Sequence, residues 1–516
     1  MKLIIGISLC SASVVSFLAD LAGLSLPTVS WGYNLSRKTA DLPMVEPLRS
    51  FFDYLGHVMA GFMLLVGLWL VISKLLAGVP NPVTLRKIQR FREIKRGYYS
   101  FLILLGLAAF ASLDQVIVGN EALAVKYDGK WTFPAFTTVK ESNGDLGIEE
   151  PNLRDLIPDY RTLNKDEDFF VLMPLWPYAP TSDTITALGR KIDLEESDYD
   201  GLGTVLYDQE KPEQPHVRYL YRNGKKKGEA QGWDKNNNRI FRATYLNGEI
   251  VEGSVSWSGE GDWKDFLPAD DAQIFDVSYP PSEPQWSNPL GTTTQGEDVL
   301  AYLYGGLQVN FKAILIYIPL IYLIGVTLGL MMGYFGGWFD LVVQRVIEVL
   351  QNIPFLFLVI VVTLGVPAQY KDEVGIYLIL LLLVIFGWMG MTNLLRTTAL
   401  KEKSRDYIAA SRVIGAGTPR ILFRHLLPNS IAVLVTLIPF SVSGVILSLT
   451  ALDFLGFVPS DLASWGKLLR EGVRSLNSPW LVSSAFFSLV FLLVLVTFVG
   501  EAVREAFDPK KYTYYR

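Results

Sequence analysis

Long runs of apolar residues with almost no charge, separated by shorter polar stretches, are the dominant pattern of this sequence. A bilayer core of about 30 Å requires roughly 20 apolar residues in a helix. Eight runs approach that length: 3–19, 54–73, 98–118, 313–335, 349–366, 374–395, 430–452 and 480–500. The pattern therefore predicts an all-α polytopic membrane protein, with six main spans preceded by two further helices.

The first run, 3–19, has two interpretations. A short apolar stretch after Lys2 is typical of a signal peptide as well as of a membrane helix. Attachment of a lipid to Cys10 is disfavoured because the bulky Leu9 stands where a small residue is needed. We favour a retained helix over cleavage.

Composition excludes several classes of protein. Half of the 516 residues are hydrophobic and 19% are charged, which is unusual for a soluble enzyme. The chain has one cysteine and three scattered histidines, so no spacing typical of a metal site is present. No serine, histidine and acid arrangement has motif support either. We therefore expect no catalytic residue, no metal and no bound cofactor, and nothing indicates nucleic-acid binding.

Charge is distributed unevenly along the chain. Residues 119–298 carry 33 acidic and 18 basic side chains, a net charge of −15, while the whole chain carries −5. The loops 78–98 and 396–425 are strongly basic, which places them in the cytoplasm because lysine and arginine near span ends stay on that side. Counting spans then puts 119–298 outside, in the periplasm of an inner-membrane protein, and both termini in the cytoplasm.

The external segment 119–298 has the turn chemistry of a folded β-rich domain. A period of 24 residues is visible near 218–257, where Tyr221, Asn223, Gly224 and Trp233 recur as Tyr245, Asn247, Gly248 and Trp257. Asn-Gly favours the tight turn of a hairpin. We expect two hairpins with their tryptophans on one sheet face, similar to MORN repeats or simply an ordinary hairpin pair.

The most specific loop of the sequence is 406–429. A face of small and apolar residues recurs there at helical spacings of three and four: Tyr407, Ala410, Ser411 and Ile414. Gly415 is expected to end this helix. A second helix is expected to begin with Thr418 as its hydroxyl cap and Pro419 at its first position, and to run to Pro428 at the membrane.

This loop resembles the EAA motif of ABC importer permeases, in which Glu-Ala-Ala is followed by three residues, glycine, nine residues and Ile-x-Leu-Pro. The spacing matches at six positions of this chain: Ala409, Ala410, Ser411, Gly415, Leu427 and Pro428. His425 stands where isoleucine is usual, and the glutamate is absent. An interfacial amphipathic helix is the alternative interpretation of the loop.

The resemblance extends from about residue 98 to the C-terminus and points to the permeases of oligopeptide and dipeptide importers, closest to the Yej-type branch. It rests on six further stretches: KYDGKWTFP, LGT…GEDVLAYLYGG, GYFGGWFD, DFLGF, SWGKLL and GEAVREAFDP. It implies a type I importer permease fold, with six core helices at 98–118 and within 299–509, an N-terminal extension 1–97 and a cytoplasmic tail 510–516. Relative to that branch, the two upstream spans and about 183–276 look like additions.

The resemblance also implies partners. A second permease subunit, ABC ATPases, an extracytoplasmic solute-binding protein and a peptide substrate would complete the transporter in the lipid bilayer. The sequence contains no GxxxxGK[ST] phosphate loop, so ATP and Mg²⁺ would be used by the partner ATPase. The residues implied to dock it are Asp406, Tyr407, Ala409, Ala410, Ser411, Ile414, Gly415, Thr418, Pro419, Leu427 and Pro428.

Two other functions stay open at this point: a membrane-anchored receptor or scaffold, and an exporter or mechanotransmission permease. Near the spans, Arg345 and Glu348 are spaced for a helical ion pair, which we favour over a substrate contact for these residues and Asp340. Pro354 and Pro439 are expected to bend their helices.

Overall fold

The chain forms two compact units, which we call the helical unit and the sheet unit. The helical unit comprises Met1–Pro180, Ala301–Arg470 and Ala485–Arg516, and the sheet unit Thr181–Leu300 with Glu471–Ser484. A computed structural model describes residues 2–26, 33, 54–76, 82–137, 142, 158–163, 169–181, 183, 185, 188–192, 201–208, 214–222, 224–259, 261–269, 272–365, 371–457 and 462–507.

Helices account for most of the described residues. Numbered along the chain, they are α1 Lys2–Leu21, α2 Leu55–Leu76, α3 Pro82–Glu93, α4 Lys95–Ser112, α5 Tyr160–Leu163, α6 Trp263–Phe266, α7 Val299–Phe335, α8 Gly337–Asn352, α9 Phe355–Gly365, α10 Lys371–Lys403, α11 Asp406–Val413, α12 Thr418–Ile421, α13 Leu427–Leu455, α14 Trp465–Arg474 and α15 Pro479–Phe507.

Six of the eight predicted membrane helices are confirmed among the described residues. Four stretches of the described residues are long and apolar enough to cross a bilayer: Val299–Phe335, Ile376–Lys403, Thr418–Leu455 and Pro479–Phe507. Two bent pairs, α3 with α4 and α8 with α9, also meet this criterion. Each of the six predicted main spans thus coincides with a helix or a bent pair.

The prediction of a single helix at 349–366 is wrong, because two helices share this stretch. Helices α8 and α9 meet at an angle of 76°. Between them Ile353 has left the helical region, with φ −76° and ψ 123°, since the ring of Pro354 excludes the helical conformation from the residue before it. Pro354 therefore does bend this segment, whereas α13 continues through Pro439.

Helix α10 lies at the centre of the helical unit. More than half of its most apolar 18-residue stretch is buried, against about a quarter of the corresponding stretch in each of the other three long spans. Gly325, Gly329 and Gly333 form a stripe on α7 that faces it, and an added Cβ at Gly329 would come within 2.7 Å of the carbonyl oxygen of Thr392. This spacing of small residues allows two membrane helices to approach closely.

The two N-terminal helices pack against each other through small side chains. The Ser13 hydroxyl on α1 donates a hydrogen bond of 2.7 Å to the carbonyl oxygen of Ala60 on α2. An added Cβ at Gly67 would lie 2.7 Å from the Sγ of Cys10. The upstream runs therefore form a helical pair of their own.

A small three-stranded sheet belongs to the helical unit. Its strands are β1 Ala124–Tyr127, β2 Lys130–Thr132 and β3 Phe170–Leu172, in the order β2-β1-β3. Val125 and Val171, paired across β1 and β3, are buried in its core. The predicted external segment 119–298 is thus divided between the two units.

The sheet unit is built on a nine-stranded antiparallel sheet. Its strands are β4 Leu188–Ile192, β5 Gly201–Leu206, β6 Pro215–Arg222, β7 Lys225–Lys226, β8 Gly228–Trp233, β9 Arg239–Leu246, β10 Glu249–Ile250, β11 Ser256–Trp257 and β12 Ile274–Ser278. The main order is β10-β9-β8-β6-β5-β12-β4, with β7 on β6 and β11 on β9. Val217, Tyr219 and Tyr221 alternate with less buried residues on β6 and point into the core.

The two predicted hairpins are confirmed, but the prediction for their tryptophans is wrong. Asn247 and Gly248 have φ values of 52° and 100°, as a tight primed turn requires. Trp257 packs against Phe266 in the core, whereas Trp233 lies beneath the Arg218 guanidinium, on the other face of the sheet. Ala230 and Gly232 face the core, so alternation along β8 turns Trp233 outward, whereas Trp257 is paired with the buried Phe241.

Candidate ATPase-docking loop

The first helix of the loop, α11, is anchored from inside by one apolar side chain. Ile408 is fully buried in a cluster with residues of α7, α10 and α13. The Arg412 guanidinium lies 5.0 Å from the ring centroid of Tyr334 on α7. Asp406 is exposed in the first turn, where a carboxylate interacts favourably with the helix dipole.

Tyr407 also holds the loop to the body of the helical unit. Its hydroxyl donates to Glu402 Oε2 at 2.8 Å and accepts from Asn429 Nδ2 at 2.8 Å. Glu402 is in turn paired with Arg405 at 3.0 Å. Burial, followed by the bond to Glu402, raises the pKa of the Tyr407 phenol, so it stays a donor at neutral pH. The structure thus points Tyr407 inward rather than to the predicted docking face.

Gly415 ends α11 in the predicted manner. Its φ of +84° lies in the left-handed region that favours glycine. The N–H of Gly415 donates to Arg412 O at 2.9 Å and that of Ala416 to Ser411 O at 3.0 Å. This is the Schellman arrangement, which satisfies carbonyl groups that the helix end would otherwise leave unpaired.

The predicted start of the second helix is wrong by one residue. Gly417, not Thr418, is the cap: its carbonyl oxygen accepts the first helical hydrogen bond, from Ile421 N–H at 3.1 Å. It has the extended conformation of a cap residue, with φ −68° and ψ 158°, and no side chain caps the helix. Thr418 and Pro419 are consequently the first and second helical positions.

The second helix does not end at Pro428 but continues into the membrane span. A π-helical turn, Leu422–Leu426, joins α12 to α13, and its closing hydrogen bond runs from Leu427 N–H to Leu422 O. Pro428 follows at once and has no N–H to donate. Leu427 packs against the same buried cluster as Ile408. Residues 418–455 therefore form one helical rod with a local π turn.

The outward side of the loop is apolar and unusually exposed. Val413 and Ile414, next to the turn at Gly415 that we call the elbow, are 88% and 86% exposed. Ala409 and Ala410 are also exposed, while Ser411 is half-buried and bonds to the carbonyl oxygen of Tyr407 at 2.7 Å. Val413 was not among the residues predicted from the sequence, although two aliphatic residues directly before a helix-ending glycine could have indicated it.

Two ion pairs lie near α8. The predicted pair of Arg345 and Glu348 is present at 2.5 Å on the exposed side. Asp340 pairs instead with Arg396 of α10, through two hydrogen bonds of 2.5 and 2.7 Å. Sequence spacing did not suggest this second pair because its members are 56 residues apart.

Another polar contact that was not predicted from the sequence joins α13 to α14. Ser464 precedes α14, accepts a hydrogen bond from Lys467 N–H and donates to the buried carboxylate of Asp453. An added Cβ at Gly466 would lie 2.2 Å from Thr450 O, so glycine permits this close approach. Among the described residues, no group of three or more histidine, cysteine or acidic side chains is placed to hold a metal ion.

Comparison with known proteins identifies the family. Residues 325–512, which contain the loop, match the family described as binding-protein-dependent transport system inner membrane component. The inner membrane ABC transporter permease protein YejE of Escherichia coli is 30% identical over 433 residues, covering 84% of this chain and 98% of that protein. The chain belongs to this family of ABC permeases.

Two further relatives agree with that assignment. The permease is 40% identical to the peptidoglycan transport system permease protein YejE of Agrobacterium fabrum over 225 residues, which cover 43% of this chain and 58% of the relative. It is 33% identical to the oligopeptide transport system permease protein OppC of Mycobacterium tuberculosis over 246 residues, covering 46% of this chain and 81% of the relative. The predicted resemblance to peptide-importer permeases, closest to the Yej type, is thus confirmed, and the chain is a permease subunit of an ABC importer.

Proposed function

We propose that this permease imports peptides across the inner membrane. Relatives named as oligopeptide and dipeptide permeases support this cargo. A second permease subunit would complete the path, and an extracytoplasmic solute-binding protein would deliver the peptide. ABC ATPases would bind on the cytoplasmic side and hydrolyse ATP with Mg²⁺, since this sequence has no phosphate loop.

The orientation in this proposal follows from charge. The loop containing α11 and the segment containing α3 are both rich in lysine and arginine, which favours the cytoplasm for each. Both termini would then lie in the cytoplasm, and the sheet unit in the periplasm.

One observation carries the proposed docking of the ATPases: the apolar pair Val413 and Ile414 projects from a helix that is rigidly held on its other side. Exposed aliphatic side chains beside small residues mark a surface that another protein covers. Ile408 and Tyr407 fix the helix inside, while Ala409 and Ala410 leave room for a close approach. The docking surface is therefore Ala409, Ala410, Val413 and Ile414, with Tyr407 as a support.

Transmission to the membrane is explained by the continuity of α12 and α13. A movement of the elbow imposed by ATP-bound partners would be carried along residues 418–455, because they form one helical rod. In thermodynamic terms, the ATP-bound ATPases bind one conformation of the loop more tightly than a second one. This difference in affinity shifts the equilibrium between two arrangements of the membrane spans.

The docking surface is tested by a charge substitution at an exposed position. Ile414→Asp should weaken ATPase binding by at least tenfold, since a desolvated carboxylate would enter the interface. Leu476→Asp is the matched control, because Leu476 is similarly exposed, at 80%, but lies far along the chain from the loop. Equal affinity of the ATPase for both variants, measured by surface plasmon resonance on the reconstituted permease pair, would exclude this docking surface.

Peptidoglycan-derived peptides are the second candidate cargo. The relative from Agrobacterium fabrum is named as a peptidoglycan transport permease. Stimulation of ATP hydrolysis in liposomes containing the permeases, ATPase and binding protein distinguishes the two: linear peptides should stimulate if the first proposal holds, and only peptidoglycan fragments if the second does.

A further inference from the structure

Helix α3 lies across the end of a membrane span. Its described core, Leu85–Glu93, meets α4 at an angle of 95°. Helix α4 has 18 residues and is thus about 27 Å long, close to the thickness of a bilayer core. If α4 crosses the membrane, α3 must run along the membrane surface.

The angle between α3 and α4 is held by several contacts. An added Cβ at Gly97 would lie 2.0 Å from the Cβ of Ala502, so α4 and α15 touch directly beside the bend. Phe91 of α3 packs edge-on against Phe101 of α4, with ring centroids 5.9 Å apart. The Lys87 ammonium lies 4.8 Å from the ring centroid of Phe507, at the end of α15. The orientation of α3 is therefore defined from both neighbouring helices.

One side of α3 carries two exposed aliphatic side chains. Leu85 and Ile88, three residues apart on the same side, are 41% and 49% exposed. The helix also carries four basic side chains against the single acidic Glu93: Arg86, Lys87, Arg90 and Arg92. Exposed aliphatic residues with many basic ones, on a helix parallel to the membrane, are the features of an interfacial lipid-binding helix.

We propose that α3 is an anchor for the anionic phospholipids of the cytoplasmic leaflet. Leu85 and Ile88 enter the boundary of the acyl chains, and the basic side chains meet the phosphate groups at the same level. The proposal rests on the cytoplasmic orientation given under the proposed function. An acidic surface of a partner protein is the competing occupant, but Ile88 lies one turn before Phe91, whose ring packs on Phe101 within α4, so Ile88 is on the side of α3 that faces the span. Each basic residue near an anionic surface strengthens such binding about fivefold.

The test uses the full chain with Cys10→Ser as background. A polarity-sensitive fluorophore is attached at Ile88→Cys and, as the matched control, at the exposed Glu93→Cys, which points about 140° away from Ile88 around the helix. The protein is placed in nanodiscs of phosphatidylcholine alone or with about one third phosphatidylglycerol, and some lipids carry a nitroxide quencher on the acyl chain. Anionic discs should shift the emission at position 88 to shorter wavelength and quench it, with little change at position 93.

Three results would overturn the proposal. The label at position 88 could report water in anionic discs; it could behave identically in both lipids; or it could be shielded by added ATPase without lipid quenching, which would identify a protein-binding face. Arg86→Gln combined with Arg92→Gln, both at exposed positions, should weaken the association of α3 with the anionic discs at least tenfold, seen as a smaller emission shift at position 88. Since neither cargo nor ATP is needed, the outcome is independent of whether the transport proposal holds.

Discussion

Replacing Gly415 by alanine tests whether the elbow of the docking loop depends on backbone conformation. An alanine Cβ there meets no atom within 4 Å, so sterically there is room for it. The cost arises from φ, which is +84°, and a residue with a Cβ pays about 1–2 kcal/mol in the left-handed region. If docking requires the observed loop, the affinity for the ATPase should fall by roughly 5- to 30-fold.

Gly417→Ala is the matched control for this experiment. Gly417 lies two residues along the chain, also has open space around it, and has an ordinary φ of −68°. The permease pair is reconstituted, ATPase binding is measured by surface plasmon resonance, and ATP hydrolysis is compared with peptide uptake. Amide exchange of Ala416 should also accelerate in Gly415→Ala, because its bond to Ser411 is part of the helix end. Equal affinities for the two variants would refute the reasoning.

Three further substitutions or conditions have defined outcomes. Asp340→Asn should lower the stability of the detergent-purified protein by about 2 kcal/mol in thermal unfolding, because the half-buried Arg396 loses a charged acceptor. An unchanged stability would show that this ion pair is dispensable. Gly466→Ala should lower the free energy of unfolding by about 1–3 kcal/mol, because its Cβ would overlap a carbonyl oxygen of α13. Gly444→Ala, which has open space around it, is the control and should be neutral or stabilising. Equal effects of the two substitutions would contradict the close packing. Burial lowers the pKa of His216 below its ordinary 6.5, so the unfolded state binds the proton more tightly and the sheet unit should lose stability as pH falls below about 6.5. Faster amide exchange of β5 and β6 in acid, corrected for the intrinsic rate and absent in His216→Phe, is the expected observation.

Much of the membrane architecture was predictable because its signal is local. Apolar runs such as 313–335 report burial in lipid wherever the neighbouring helices lie. The bend at Pro354 was also predicted correctly, but the angle of the bend was not. An angle of 76° depends on how α8 and α9 pack against α10, which no local pattern contains.

The docking loop shows the same division. The turn at Gly415 was predicted because glycine is the residue that best accepts a positive φ. The side chains around it were less predictable: helical spacing placed Tyr407 with Ala410 on one face, but the partners Glu402 and Asn429 hold it inward. The spacing of residues on a helix defines its faces, but packing decides which face is covered.

The sequence by itself determined where helices and hairpin turns form, on which side of the membrane the basic loops are expected, and which family the loop resembles. The tertiary structure alone decided the pairing of Asp340 with Arg396, the opposite faces of Trp233 and Trp257, and the right angle between α3 and α4. The physical reason is range: lipid burial and backbone preference act on each segment separately, whereas these contacts join residues that only the folded chain brings together.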